Sequence, residues 1–292
     1  MPGALANTIK EVEDAISSNN LAEALLRLDD VETYAKIYLE NGKNYILKFA
    51  GSTEGFKNVN ISYTTSPMAE YVGSHIYSEL GIDVHRTVLG KHGPKLVVAC
   101  EDFCKKNERL YHFGELKVTF EPTFLDSNGN ETNGTGTDLE EVLQTIDQHP
   151  VLRQLDGTKE RFWDMFVIDA LIENVDRNNG NWGVIVSDEQ NVRLAPVFDN
   201  GNSFNNKFND EKMKELMKDD KSFKTIAYSG FRNIFELQNK RINPYQFINK
   251  MGNKDCNDAV LRIVPKIYRK ITPNTKEHYA NTGRRSRHFD YQ

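Results

Sequence analysis

Ile172-Glu173-Asn174-Val175-Asp176-Arg177-Asn178-Asn179-Gly180-Asn181-Trp182-Gly183 leads into Val184-Ile185-Val186, a polar turn at Asp188-Glu189-Gln190-Asn191, and then Val192-Arg193-Leu194-Ala195-Pro196-Val197-Phe198-Asp199. Two apolar, β-branched runs around a short polar stretch predict a hairpin with 188–191 as its loop. In that register Ser187 faces Val192 and, carried outward, Asn181 faces Phe198 and lies beside Asp199. Cross-strand neighbours lie about 5 Å apart, so the open end of the hairpin gathers an amide and a carboxylate. Asp176 stands five residues before the amide, in a loop that begins where an apolar helix stops. Oxygen ligands grouped this way suit Mg²⁺, which takes one or two carboxylates, keeps waters and bridges to substrate phosphates. A further carboxylate that does not bind the metal can accept a hydroxyl proton, the division of labour that phosphoryl transfer requires. Asp, four residues, then Asn is also a pattern that ordinary turns produce, since both residues favour them. The spacing gains meaning only from what surrounds it.

Towards the N-terminus, Tyr34-Ala35-Lys36-Ile37-Tyr38-Leu39 and Tyr45-Ile46-Leu47-Lys48-Phe49 flank Asn41-Gly42, a strong short hairpin signal. Alternation puts Tyr45, Leu47 and Phe49 on one face and Ile46 with Lys48 on the other, so a cation sits inside an apolar strand. Ser66-Pro67 opens a helix through Met68, Glu70, Tyr71, Val72, Ile76 and Leu80, and Gly81 closes it. Strands follow at Val84 to Leu89 and Leu96-Val97-Val98-Ala99, so residues 31–100 predict an antiparallel sheet carrying one main helix. Before the sheet, Thr8 with Glu11 makes a capping box for one short helix, and 21–28 reads as a second.

Residues 126–137, DSNGNETNGTGT, are turn-rich and predict a surface loop. Thr137 with Glu140 opens a helix to Gln148, and Thr158 opens another through Phe162, Phe166 and Ile172. Helical spacing returns at about 209–218, 231–240, 244–251 and 256–270. Trp163 and Trp182 are expected as core anchors, and Arg284-Arg285-Ser286-Arg287 as a solvated end.

The chain carries 37 Lys and Arg against 42 Asp and Glu, a net charge of −5, which gives no basic field for nucleic acid. About 38% apolar residues supply a core, and no stretch of 18 apolar residues predicts a membrane span. Three cysteines, Cys100, Cys104 and Cys256, cannot all pair and lack zinc-site spacing, so reduced thiols in a cytoplasmic protein are expected. Walker A, G-x-S-x-G and H-E-x-x-H runs do not occur.

The strand lysine, the helix acid after it, the Asp-x-x-x-x-Asn loop and the carboxylate past the second hairpin strand stand in one order. Together they resemble the HipA-like kinases, the bacterial group that includes the CtkA-like proteins, which is distantly similar to protein and phosphoinositide kinases. The resemblance runs from about Tyr34 to Phe204 and is most specific at Val175–Asn181 and Leu194–Asp199. It implies an α+β, two-lobed protein-kinase-like fold. Residues 1–101 would form an antiparallel-sheet N-terminal lobe, and residues 102–292 a mostly helical C-terminal lobe with the catalytic loop and metal-binding hairpin. The activity implied is ATP- and Mg²⁺-dependent transfer of a γ-phosphoryl group to a Ser or Thr hydroxyl of a protein, with neither nucleic acid nor membrane as partner.

By the same resemblance Lys48 contacts the ATP phosphates and Glu70 orients that lysine. Asp176 is the catalytic base, Asn181 and Asp199 are magnesium ligands, and the backbone of Glu101 and Phe103 meets adenine. Two departures stand out. Asn178 occupies the place where the family usually has His; an amide can donate to a phosphate but carries no charge. Residues 28–33, LDDVET, precede the first strand with three acids and no glycine, where a glycine-containing loop over the phosphates is expected. A phosphoinositide kinase shares the loop spacing, although no basic amphipathic face is present for anionic lipid. A nucleotide-binding pseudokinase is the third reading, motivated by the two departures.

Overall fold

The computed structural model describes residues 35–38, 43–54, 61, 63–92, 95–121, 134–219, 221 and 224–271. The expected helices before residue 29, the acidic segment 28–33, the Asn41-Gly42 turn, most of the 126–137 loop and the basic C-terminal end lie outside these residues.

The first sheet is antiparallel, in the order β1-β2-β4-β3. Its strands are β1 (Ala35–Tyr38), β2 (Asn44–Phe49), β3 (Thr87–His92) and β4 (Lys95–Glu101). Ala35 lies opposite Leu47, and Lys48 opposite Val98 in the central pairing. Helix α1 (Ser66–Glu79) has Pro in its first turn, where the missing N–H costs nothing, and ends at Leu80 before Gly81, whose φ is +77°. It packs on β2, β3 and β4.

A second antiparallel sheet has the order β5-β6-β7, from β5 (Glu108–His112), β6 (Gly183–Ser187) and β7 (Val192–Leu194). The sequence does not announce β5, because Glu108 and Arg109 interrupt its apolar pattern; among the described residues it pairs with β6 alone. Around this sheet lie α2 (Phe113–Phe120), α3 (Leu139–Gln148), α4 (Thr158–Ile172), α5 (Asp210–Lys218), α6 (Pro244–Asn249) and α7 (Lys254–Ile271). Asp138, rather than Thr137, caps α3, accepting from the backbone N–H groups of Glu140 and Glu141.

The structure corrects two local expectations. In the β6–β7 hairpin Val186 pairs with Val192 and Val184 with Leu194, one residue out of the predicted register. The Gln190 N–H donates to the Ser187 carbonyl at 2.8 Å, and Gln190 takes φ 65°, so the loop closes over three residues with a left-handed last position. The ladder stops at Gly183, and Asn181 lies in the loop before it rather than opposite Phe198. The second correction is at 231–240, where β8 (Glu236–Leu237) and β9 (Lys240–Arg241) replace the expected helix. Gln238 and Asn239 both have positive φ, 53° and 60°, the two-residue turn that fits strand twist.

The main core forms where α4 is buried on nearly every side, with Phe162, Trp163, Phe166 and Ile168 at 0–2% exposure. Trp182 stacks on Phe113 at 4.0 Å between ring centroids, so both tryptophans are core residues, as expected. Tyr77 and Leu80, at the end of α1, and Ile82 beyond it belong to the same cluster. Among the described residues no helix is long and apolar enough to cross a membrane.

Candidate active site

Helix α4 ends at Glu173, which turns the chain with φ 53°, and the loop that follows is organised by buried polar groups. Asp169, 3% exposed on the last turn of α4, accepts from Arg177 Nε at 2.9 Å and Nη2 at 3.1 Å. The remaining Arg177 donors go to the Asn181 carbonyl (3.0 Å), the Phe198 carbonyl and Asn200 Oδ1 (2.6 Å). One buried guanidinium therefore draws together the 176–181 loop, the end of the 192–198 segment and the residue after Asp199. Burial alone would favour losing its proton, and Asp169 outweighs that, so Arg177 stays charged.

Asp176 has both oxygens engaged: Oδ1 accepts from Asn178 Nδ2 and Oδ2 from Asn202 Nδ2, each at 2.9 Å. Asn181 Nδ2 donates to the Asp176 carbonyl at 2.7 Å, which fixes the amide with its nitrogen turned towards the loop. Asn178 also accepts from the Gly180 N–H at 2.8 Å. Its amide thus binds both Asp176 and the loop itself. Asn179 Nδ2 donates to the carbonyls of Gly134 and Gly136 at 2.7 and 2.8 Å, tying the loop to the chain that enters α3.

On β2, Lys48 Nζ lies 2.8 Å from Asp199 Oδ1 and 3.2 Å from Glu70 Oε2. The strand alternation that singled out Lys48 thus points it at α1. Burial would lower the Lys48 pKa, but Glu70 and Asp199 overcome it and hold the ammonium well above its usual range. Glu70 is 1% exposed; burial pushes its carboxyl up, yet Lys48, His85 and the Asn200 N–H together bring it below the usual carboxylate range. Asp199 takes φ 58°, a left-handed turn that carries the chain from the hairpin back to α1.

Glu101 ends β4 and donates its N–H to the Arg86 carbonyl at 2.8 Å, so that group is engaged within the sheet. Its side chain accepts from Lys43 Nζ at 2.6 Å and Tyr45 Oη at 3.3 Å. The Phe103 ring lies against Phe198, 5.5 Å between centroids, directly before Asp199. The structure therefore brings Lys48, Glu70 and Asp199 into contact, sets Asp176, Asn178 and Asn181 in one loop, and places Phe103 beside that assembly. Sequence reasoning missed Asp169, His85, Asn200 and Asn202. Asp169 alone left a signal, a carboxylate inside the apolar run Phe166-Val167-Ile168-Asp169-Ala170-Leu171-Ile172.

The model of the HipA-like C-terminal domain matches residues 24–263. The chain belongs to that family. This HipA-like chain is 37% identical over 230 residues to the serine/threonine-protein kinase CtkA of Helicobacter pylori (strain J99 / ATCC 700824), covering 78% of the chain and 67% of the relative. It also resembles the crystal structure of a Helicobacter pylori proinflammatory kinase CtkA, with a TM-score of 0.68 and 34% identity over 80% of this chain and 78% of that one. The HipA-like chain accordingly has a kinase-like fold, and its kinship at family level is with kinases.

Proposed function

We propose that the protein is an ATP- and Mg²⁺-dependent serine/threonine protein kinase. The observation that carries this reading is the Lys48 ammonium held between Glu70 and Asp199, with the Phe198–Asp199 segment tied through Arg177 to the loop that carries Asp176 and Asn181. A lysine so placed is a charged donor for the phosphates of a nucleotide, and Glu70 keeps it aimed. Phe103 and the Glu101 carbonyl are the groups at hand for the purine.

The residues present fit a magnesium ion. Asn181, whose Nδ2 is spent on the Asp176 carbonyl, has Oδ1 left to ligate, and Asp199 has Oδ2 in addition to the oxygen on Lys48. Both are hard oxygen donors, and Arg177 holds their segments side by side by binding the Asn181 and Phe198 carbonyls. When bound, the metal would neutralise charge on the nucleotide phosphates.

Asp176 would accept the proton of the acceptor hydroxyl as its oxygen forms the new bond to the γ-phosphorus and the bond to the departing ADP breaks. Asn178 and Asn202 hold the carboxylate in one orientation for that step. The acceptor as a protein Ser or Thr is supported by kinship with the CtkA kinase, and a cytoplasmic site of action by the three unpaired cysteines. Labelled phosphate from ATP should enter the protein itself or a generic basic acceptor with Mg²⁺ present. Asp176→Ala should abolish incorporation while leaving ATP binding largely intact. Undiminished incorporation in that variant would overturn the assignment of the base.

A further inference from the structure

We infer that His85 is a positioning residue for phosphoryl transfer, acting through Glu70 to hold Lys48. This rests on the kinase reading above. His85 lies in the connection between α1 and β3 and is 5% exposed. Its Nε2 is 2.8 Å from Glu70 Oε1 and 3.2 Å from Ser74 Oγ. An ionised carboxylate only accepts, so the His85 hydrogen belongs on Nε2.

The Glu70 carboxylate is thus held at Oε1 by His85 and at Oε2 by Lys48, with the Asn200 N–H as a further donor. The difference between the sides matters in turnover. Lys48 is shared with Asp199 Oδ1 and must turn from it to the phosphates, while Asp199 Oδ2 would serve a metal. Glu70 is the fixed end of that exchange only if something other than Lys48 restrains it. His85 is fastened for this purpose: its N–H donates to the Val197 carbonyl at 2.9 Å, and Val84 bridges Val197 in parallel. The histidine is therefore tied to the segment that ends in Asp199. Ser74 extends the same chain of bonds, accepting from Asn200 Nδ2 at 3.0 Å.

The atoms also admit another reading. Glu70, His85 and Cys100 offer ligand atoms all within 4.8 Å of one another, the composition of a soft-metal site. Lys48 already supplies the cation there, and burial with the Glu70 charge pushes the Cys100 thiol up to about 12, far from the thiolate a metal needs. Donation from His85 to Glu70 accounts for the cluster without an ion.

The test is a double-mutant cycle on the full chain, read by calorimetric ATP binding, by KM and kcat for transfer, and by Tm. His85→Leu should weaken ATP binding or turnover about ten-fold, the size of one lost hydrogen bond to a charged group. His85→Gln, which keeps an N–H within reach of Glu70, should recover most of that loss at a similar Tm. His85→Leu added to Glu70→Gln should cost little beyond Glu70→Gln alone, because the histidine acts through that carboxylate. Fully additive losses, or His85→Gln as impaired as His85→Leu, would overturn the inference. Should His85→Leu not fold, His85→Asn, whose amide is too short to reach Glu70, takes its place in the same comparison. Non-additive ATP binding in a wild type that transfers no phosphate would sink the kinase reading and leave the positioning role standing; a wild type that binds no ATP would sink both.

Discussion

Arg177 has five N–H donors, and all five are engaged inside the protein, by Asp169, Asn181, Phe198 and Asn200. Removing its buried counter-charge leaves two of those donors unpaired and the guanidinium charge uncompensated away from solvent. Asp169→Ala is therefore expected to destabilise the fold by about 3–5 kcal/mol, measured as a shift of the urea midpoint, with transfer lost because the 176–181 loop loses its anchor. The motif Val175–Asn181 was visible in the sequence, but the partner of its arginine was not, since Asp169 is one carboxylate among many until the fold buries it. Glu70 makes a second prediction at this scale. Its pKa is lowered on folding from 4.5, so its charge stabilises the native state fully above about pH 4.5 and this contribution is lost as pH falls further. The stability difference between wild type and Glu70→Gln should be level at neutral pH and shrink on acidification; a difference that grew towards low pH would contradict the pairing with Lys48. At Asp199, substitution by Ala should remove the Mg²⁺-dependent part of ATP binding, as read by titration with and without the metal.

The elements meet through close backbone approaches as well as side-chain bonds. A Cβ on Gly73 would come 2.9 Å from Asn200 Cβ and 3.5 Å from Ile172 Cδ1, so α1 lies hard against both the segment after Asp199 and the end of α4. Gly73→Ala should cost about 1–3 kcal/mol through overpacking and should lower transfer by disturbing the Ser74–Asn200 bond. Normal thermal stability with normal transfer would show that α1 can move away freely. Helices were the more legible elements, because α1 carried Pro at its start and Gly beyond its end. The hairpin was legible as a hairpin but not in register. Nothing in Asp188-Glu189-Gln190-Asn191 announces that Gln190, rather than a glycine, takes the left-handed position. The turn at Gln238-Asn239 failed in the same way, and a helix was expected in its place.

At the scale of the molecule, α1 belongs to both halves. Tyr77 donates to Asp169 Oδ1 at 2.8 Å, Lys266 of α7 donates to the Leu80 carbonyl at 2.9 Å, and Tyr77, Leu80 and Ile82 sit in the α4 core. Burying each of those three side chains stabilises by about 2 kcal/mol, and the cluster that buries them is made mostly of residues beyond 101. A fragment of residues 1–101 is therefore expected to lack fixed tertiary structure, seen as collapsed amide dispersion in a nitrogen–proton correlation spectrum. A well-dispersed spectrum would establish the N-terminal part as an independent unit.

Period and spacing along the chain determined the strand that carries Lys48, the bounds of α1, the apolar α4 and the loop from Asp176 to Asn181, because these depend on neighbours a few residues apart. They also sufficed for the resemblance to HipA-like kinases. Only the tertiary structure decided that Lys48, beside its expected partner Glu70, also meets Asp199 across 151 residues, that Asn202 holds Asp176, and that His85 backs Glu70. The reason is physical: a buried charge or amide takes its partner from whatever the packed core brings within about 3 Å, and sequence distance does not enter that choice.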